Sequence, residues 1–286
     1  MTETNQVYNG CSEQVLKEIE DKSIDLVVTS PPYDDLRKYE SEKSSWNFSL
    51  FQKIADELIR VLKDGGVIVW NVNDKTEGGS ESGTSFKQAL YFMEHGLKLN
   101  DTMIWQKPNP MPCNWNNRCR YTQSFEFMFV LSKGAPKTFN PIMRECKSGG
   151  KHYKSTMRNG GGENGTRELD YFINSYQVDY NVWNIPTARN NKYFEVNGEQ
   201  MIHPAVYPYE LPYRHIQTWT NKGDVILDPF AGSGTTLLAA RDLDRKYIGI
   251  EMSERYHKLI NIRLEKDFPY LKERSGIPGD EEYALW

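Results

Sequence analysis

Two short runs in this chain combine stiff turns with groups that can bind or react. The first is Thr29-Ser30-Pro31-Pro32-Tyr33, directly after the apolar run Ile24–Val28. Neither proline can donate a ladder hydrogen bond, so a strand ends there in a rigid turn with a hydroxyl at Ser30 and a ring at Tyr33. The second is Asp228-Pro229-Phe230-Ala231-Gly232-Ser233-Gly234-Thr235-Thr236, which leaves one apolar run and enters a helical pattern. Gly232 and Gly234 allow a sharp turn and a close approach of backbone to a ligand. Leu237 stands where a dinucleotide fingerprint would have its third glycine, and no Gly-Lys pair follows as in a phosphate loop. Glu251 ends the next apolar run, 23 positions after Asp228. A carboxylate there can accept hydrogen bonds from both hydroxyls of a ribose. This half therefore reads as a nucleoside site without a phosphate cradle.

The elements that must position these turns alternate. Gln6–Asn9 reads as a short strand, and Ser12 as the cap of a helix with Val15, Leu16 and Ile19 on its apolar side. After the Ile24–Val28 strand, Asp34–Asn47 is a polar loop. Ser49 opens a helix with Phe51, Ile54, Ala55, Leu58 and Leu62 on one face, which Gly65-Gly66 should end. Val67–Val72 is a strand, Asp74–Ser85 a Gly/Ser-rich loop, and Phe86, Ala89, Leu90 and Met93 suit a helix closed by Gly96. Met103–Gln106 and Phe125–Leu131 read as strands. From Gly134 to Gly198 the periodicity fails and glycines, asparagines and scattered aromatics replace it, the pattern of an inserted irregular module. Alternation returns with a helix at Leu211–Thr218, a strand at Val225–Leu227, a helix at Thr235–Leu243, a strand at Tyr247–Ile250 and a helix at Ser253–Lys266. Strands alternating with helices predict an α/β fold, a parallel sheet with helices on both faces. The expected organisation is a catalytic part over 1–133, the insert over 134–198, and a second half of the same catalytic domain over 199–286.

At 286 residues the chain can bury a full core. No apolar run nears the roughly 20 residues needed to span a bilayer, and the N-terminus lacks a signal pattern, so a cytoplasmic protein is expected. Cys11, Cys113, Cys119 and Cys146 form no C-x-x-C pair, which disfavours a metal site and favours reduced thiols. The net charge is −4, but its distribution is uneven. Between Thr102 and Gly160 ten Lys/Arg face only Glu126 and Glu145, so this segment carries about +8 and the remainder about −12. A basic zone on an acidic body fits a polyanion-binding enzyme or a solvated charged face.

Taken together, Ser-Pro-Pro-Tyr and Asp-Pro-Phe-Ala-Gly-Ser-Gly-Thr-Thr resemble the motifs of the bacterial amino-methyltransferases that modify DNA bases. Their order, Pro-Pro-Tyr first, insert next and glycine turn last, resembles the permuted β group of that family. The resemblance covers nearly all of the chain outside the insert. It implies a Rossmann-like fold, S-adenosyl-L-methionine as cofactor and double-stranded DNA as substrate. It also allows a cognate restriction endonuclease as partner, within a restriction-modification system, and a homodimer; no membrane is implied. In the family the glycine turn follows the first sheet strand and the Pro-Pro turn its neighbour, the fourth. In this chain the cut falls between the second and third sheet strands, so that the third begins at Gln6.

The resemblance also assigns roles. Ser30 and the Pro31 carbonyl would accept hydrogen bonds from an exocyclic amine, the Pro31-Pro32 turn would hold them still, and Tyr33 would stack on a base flipped out of the duplex. Asp228, Phe230, Ala231, Gly232, Ser233, Gly234, Thr235, Glu251 and Met252 would line the cofactor, with His203 and Pro204 against its methionine part. Cys11 stands where the family often has an Asp at the cofactor adenine; Cys11 departs from that pattern, and Ser12 can substitute. Arg37, Arg118, Arg120, Lys147, Lys151, Lys154 and Arg158 are the expected DNA contacts, most of them in or near the insert that matches the family's target-recognition region. A Ser before the prolines usually accompanies methylation of cytosine N4, and Asp or Asn that of adenine N6, so cytosine is the expected base and adenine the alternative. A protein or RNA amide methyltransferase would place its glycine turn first. A DNA-binding relic without catalysis would not need both turns intact.

Overall fold

A computed structural model describes residues 2–32, 46–110, 120–158, 166–188, 193–196, 199–202 and 208–265; for 157, 158, 166, 167, 193–196 and 199–202 it describes the backbone alone. In chain order the elements begin with β1 (Gln6–Asn9), α1 (Ser12–Val15), β2 (Ile24–Thr29), α2 (Phe48–Val61), β3 (Leu62–Val72), β4 (Thr76–Glu77), β5 (Ser80–Glu81) and α3 (Thr84–Glu94). Next come β6 (Lys98–Gln106), β7 (Phe125–Ser132), β8 (Met143–Glu145), β9 (His152–Arg158), β10 (Thr166–Phe172), β11 (Tyr176–Val178), β12 (Val182–Asn184), β13 (Tyr193–Val196) and β14 (Glu199–Ile202). The chain then runs through α4 (Glu210–Trp219), β15 (Val225–Asp228), α5 (Thr235–Asp242), β16 (Lys246–Glu251) and α6 (Glu254–Glu265).

Eight strands form one sheet in the order β1-β16-β15-β2-β3-β7-β6-β12. The run from β1 to β3 is parallel throughout; β7 lies antiparallel between β3 and β6, and β12 pairs parallel to β6. The strand expected to start at Gln6 is at the edge, register-paired to β16 with Asn9 opposite Glu251. β15 and β2 are direct neighbours, with Leu227 opposite Val27, so the glycine turn and the Pro-Pro turn leave adjacent strand ends on one rim. The six residues of β2 are all buried, as expected of a central parallel strand. The main core joins Ile24 and Val27 to the apolar faces of α2 and α3, with Phe51, Trp70 and Phe92 fully buried and in edge-to-face contact.

Three local expectations are corrected. α2 does not run to Gly65-Gly66. It ends at Val61 because Leu62 turns extended and begins β3. Gly65, at φ +78°, then lies in an irregular stretch of the β2–β3 register between Leu62 and Val67, where a Cβ would meet Lys137 at 3.0 Å. At its start α2 is capped by the Asn47 carboxamide oxygen, which accepts from the Leu50 N–H at 2.9 Å, ahead of the expected Ser49. Ser12 does not cap α1 either. The Cys11 carbonyl takes the first helical N–H groups, and the Ser12 hydroxyl turns inward to donate to the Pro229 carbonyl at 2.5 Å.

The chain forms two compact units, one of residues 1–140 with 181–286 and one of Pro141–Tyr180. The irregular stretch expected over 134–198 is thus not one body, because β12 belongs to the large sheet through its pairing of Trp183 with Trp105. Within the smaller unit, β9 and β10 form a seven-pair antiparallel hairpin and β8 pairs with β11. No helix among the described residues is long and apolar enough to cross a membrane.

Gly249, in β16 beneath α5, tests the packing behind the glycine turn. A Cβ there would stand 2.4 Å from Leu237 Cδ1. Gly249→Ala is expected to destabilise the fold by about 1 to 3 kcal/mol through overpacking, read as a lower urea midpoint. An unchanged midpoint would show that Leu237 moves aside freely.

Candidate functional site

The two turns are held to each other by one buried carboxylate. Asp228, at the end of β15, is 1% exposed. Its Oδ1 accepts from the Thr29 hydroxyl at 2.7 Å and from the Phe230 N–H at 3.1 Å, and its Oδ2 accepts from the Thr236 hydroxyl at 2.6 Å. Thr29 is the last residue of β2 and the one before Ser30; Phe230 is inside the glycine turn; Thr236 is in the first turn of α5. A single side chain thus connects the end of one strand, the turn after its neighbour and the helix beyond. Burial pushes the Asp228 carboxyl up, and the two hydroxyls and the amide oppose that shift.

The glycine turn owes its shape to its residues. Gly232 and Gly234 take left-handed φ values of 54° and 79°, and a Cβ on Gly234 would stand 2.9 Å from Ile260 Cγ2. The Ala231 N–H is donated to the Ile250 carbonyl at 2.9 Å and the Gly234 N–H to the Ala231 carbonyl at 2.7 Å. Ser233 and Thr235 are buried, with their hydroxyls 3.2 Å apart. Phe230 packs edge-on against Trp46 and Trp70, at ring distances of 5.3 and 6.3 Å.

Glu251 meets this turn from β16. Its Oε2 accepts from the Gly232 N–H and its Oε1 from the Ser253 N–H, both at 2.8 Å. β1 pins the same strand end: the Asn9 amide donates to the Glu251 carbonyl at 2.9 Å and to the Met252 carbonyl at 3.3 Å, and the Gly10 N–H to Glu251 at 3.1 Å. Cys11 follows as a half-buried free thiol, and Met252 is exposed. With Ser12 bonded to Pro229, residues 9–12 touch both the glycine turn and the Glu251 strand end. Ser30 and Pro32 are half-buried and Pro31 is buried.

Tyr33, Arg37, Arg118, His203 and Pro204 lie outside the described residues, as does the side chain of Arg158. Arg120 is tied to the β4–β5 hairpin, donating to Glu81 and to the Gly79 carbonyl, both at 2.9 Å. Lys147, Lys151 and Lys154 are exposed on the smaller unit, and the Lys154 ammonium is 3.6 Å from the Asp170 carboxylate. That unit is close to charge balance: Arg144, Lys147, Lys151, Lys154, Arg158 and Arg167 are offset by Glu145, Glu163, Glu168, Asp170 and Asp179. Its exposed surface is aromatic as well, with Tyr153 opposite Tyr171 at 5.4 Å on the β9–β10 hairpin and Phe172, Tyr176 and Tyr180 also exposed.

Two contributors were not read from the sequence. Arg263 of α6 is 3% exposed and donates to the Ser233 carbonyl from behind the glycine turn. A cation in step with Tyr256, Leu259 and Ile260 on the buried side of that helix is a visible irregularity in the apolar pattern. Trp46, buried against Phe230, is an aromatic at the end of a polar stretch.

Burial pushes the Glu251 carboxyl up to about 7; the Ser253 and Gly232 N–H groups pull the other way, and the Asp228 charge adds to the rise. An unfolded-state Glu titrates near about 4.3. Between those values the folded protein keeps a proton that the unfolded chain has released, so this contribution to stability is lost as pH rises across the window. The melting temperature of Glu251→Gln is therefore expected to gain on that of the unaltered protein from about pH 5 to about pH 7. A constant difference across that range would show a carboxyl that titrates normally.

Comparison with known proteins agrees with this geometry. A family model described as DNA methylase, of the N6/N4 methyltransferases, matches residues 24–262. The orphan methyltransferase M.BamHII of Bacillus amyloliquefaciens is 44% identical over 264 residues, covering 91% of this chain and 96% of that protein. Among solved structures, the PvuII DNA methyltransferase (cytosine-N4-specific) superposes with a TM-score of 0.65 at 22% identity, covering 96% of this chain and 90% of that one. The M1.HpyAVI–SAM complex does so with a TM-score of 0.55 at 23% identity, covering 90% and 98%. With two adjacent turns on one sheet rim and a family match across most of its length, this chain belongs to the N6/N4 DNA methylases.

Proposed function

We propose that this protein transfers the methyl group of S-adenosylmethionine to the exocyclic N4 amine of a cytosine flipped out of double-stranded DNA, in the permuted arrangement of the β group. The observation that carries the reading is the Asp228–Thr29 bond, which brings the glycine turn and the Ser30-Pro31-Pro32 turn to one place. The residues of the glycine turn fit this cofactor. Gly232 and Gly234 leave the backbone bare, and the Glu251 carboxyl beside them retains acceptor capacity for a ribose hydroxyl beyond its backbone bonds. No lysine follows the turn, as suits a nucleoside without a polyphosphate.

When bound, this cofactor supplies an electrophilic methyl group on a positively charged sulfur. The chain's own residues prepare the acceptor. An exocyclic amine is a weak nucleophile because its lone pair is delocalised into the ring. Acceptors at Ser30 and the Pro31 carbonyl favour the pyramidal form that develops during attack, and the two prolines limit reorganisation. Tyr33 stacks on the extruded base and offsets part of the stacking lost from the duplex. The amine lone pair would form the new C–N bond while the electrons of the broken S–C bond remain with the departing thioether, and the Ser30 hydroxyl would take up the surplus proton from nitrogen and pass it to solvent. Much of the acceleration is positional, since both reactants are held in line.

Ser30 supports cytosine over adenine, by the family correlation between that position and the base. The Pro141–Tyr180 unit is the proposed target-recognition region. Its near-neutral charge and exposed tyrosines favour contacts through rings and amides supplemented by Lys147 and Lys151.

The test is chemical. Plasmid incubated with protein and cofactor, then digested to nucleosides, should yield N4-methyl-2′-deoxycytidine by mass spectrometry; newly formed N6-methyl-2′-deoxyadenosine would overturn the choice of base, and no newly methylated nucleoside the reading itself. Tyr33→Ala should keep cofactor affinity within about twofold and lose about 100-fold or more in single-turnover methyl transfer. Normal turnover would remove Tyr33 from the pocket.

A further inference from the structure

Asp228 does more than close a turn. Its three donors, the Thr29 and Thr236 hydroxyls and the Phe230 N–H, are all neutral. Among the described residues no Lys, Arg or His pairs with its carboxylate. A buried anion without a cation is costly to keep. Its position makes that cost informative. Thr29 leads directly into the turn proposed for the base, and Phe230 lies in the turn proposed for the cofactor, so the charge sits where the two turns are joined. The other charged groups facing this junction are Glu251 from β16, a second carboxylate bonded to Gly232, and Arg263 from α6, whose guanidinium is bonded to the Ser233 carbonyl.

Resting on the cofactor reading above, we propose that Asp228 is the counter-ion by which this protein tells the positively charged methyl donor from its neutral thioether product. The sulfonium offers the buried carboxylate its missing cation. Methyl transfer removes that charge, since sulfur regains its electron pair, and the spent cofactor is then held less tightly than the contacts to its ribose and adenine would hold it. Asp228 thus acts as a positioning and discriminating residue without touching the reacting carbon.

Calorimetric titration separates this from a simple latch. Three ligands are compared: S-adenosylmethionine, an analogue bearing an ammonium where the sulfonium stands, and the thioether product S-adenosylhomocysteine. Asp228→Asn keeps the shape and can still bond Thr29 and Phe230. It is expected to lose about tenfold or more in affinity for the two cationic ligands and less than about threefold for the thioether. Thr29→Val removes one donor, disfavours the ionised carboxylate, and should move the same ratio in the same direction by a smaller factor. Equal losses for all three ligands, or an unchanged ratio in both variants, would overturn the proposal. If thermal melting shows that Asp228→Asn does not fold, the Thr29→Val ratio decides it. Failure of the unaltered protein to bind any of the three would instead sink the cofactor reading.

Discussion

The structure depends on the hydrogen bonding of one carboxylate. Two turns that follow neighbouring parallel strands are near each other by topology, but topology sets only the rim and not the spacing. The Asp228 oxygens set the spacing, because Thr29, Phe230 and Thr236 must converge on them at 2.6 to 3.1 Å. Each of the three belongs to a different element. Loosening any one frees a turn from its neighbour, and an in-line displacement tolerates little error in position. The surrounding contacts serve the same end. Ser12 fixes the Pro229 carbonyl, Arg263 the Ser233 carbonyl and Glu251 the Gly232 N–H, so the backbone of the turn is restrained from three further elements.

Most of the sheet was legible from residue pattern. The apolar β-branched run before Ser30, the strands ending at Asp228 and Glu251, and the edge strand at Gln6 all stand where alternation and turn chemistry place them. What was not legible depended on competition between distant segments. Gly65-Gly66 carries the local signature of a helix stop, yet Leu62 already pairs with Ile24, and the glycines serve an irregular strand instead. Ser12 is a good cap by type, but a buried carbonyl at Pro229, 217 positions away, claims its hydroxyl. Val182–Asn184 is too short to show a period and is recruited as a strand by Trp105 and its neighbours.

The site divides in the same way. Glycine positions and the carboxylate at Glu251 follow from spacing, because the backbone geometry they serve is local. Asp228 could be placed at the turn by spacing, but its three partners could not, since two of them are hydroxyls on other elements. Charge was the least transferable clue. The segment of about +8 counted along the chain does not map onto one body: the compact unit at Pro141–Tyr180 is nearly balanced, and Arg120 is spent on Glu81 and Gly79.

The way the smaller unit is joined to the larger one bears on how such proteins diversify. The excursion begins after Asn140, whose amide is bonded to the Gln217 and Thr220 carbonyls and whose N–H is donated to Thr218 at the end of α4. It ends at Asn181, bonded to Asp101 and, through its carbonyl, to the Ile104 N–H beside β12. Both anchors belong to the sheet unit, and among the described residues none of the bonds at the two turns involves the stretch between them. Under the target-recognition role proposed for that passage, exchanging it would give a lineage a new address on the genome while the two turns kept their geometry.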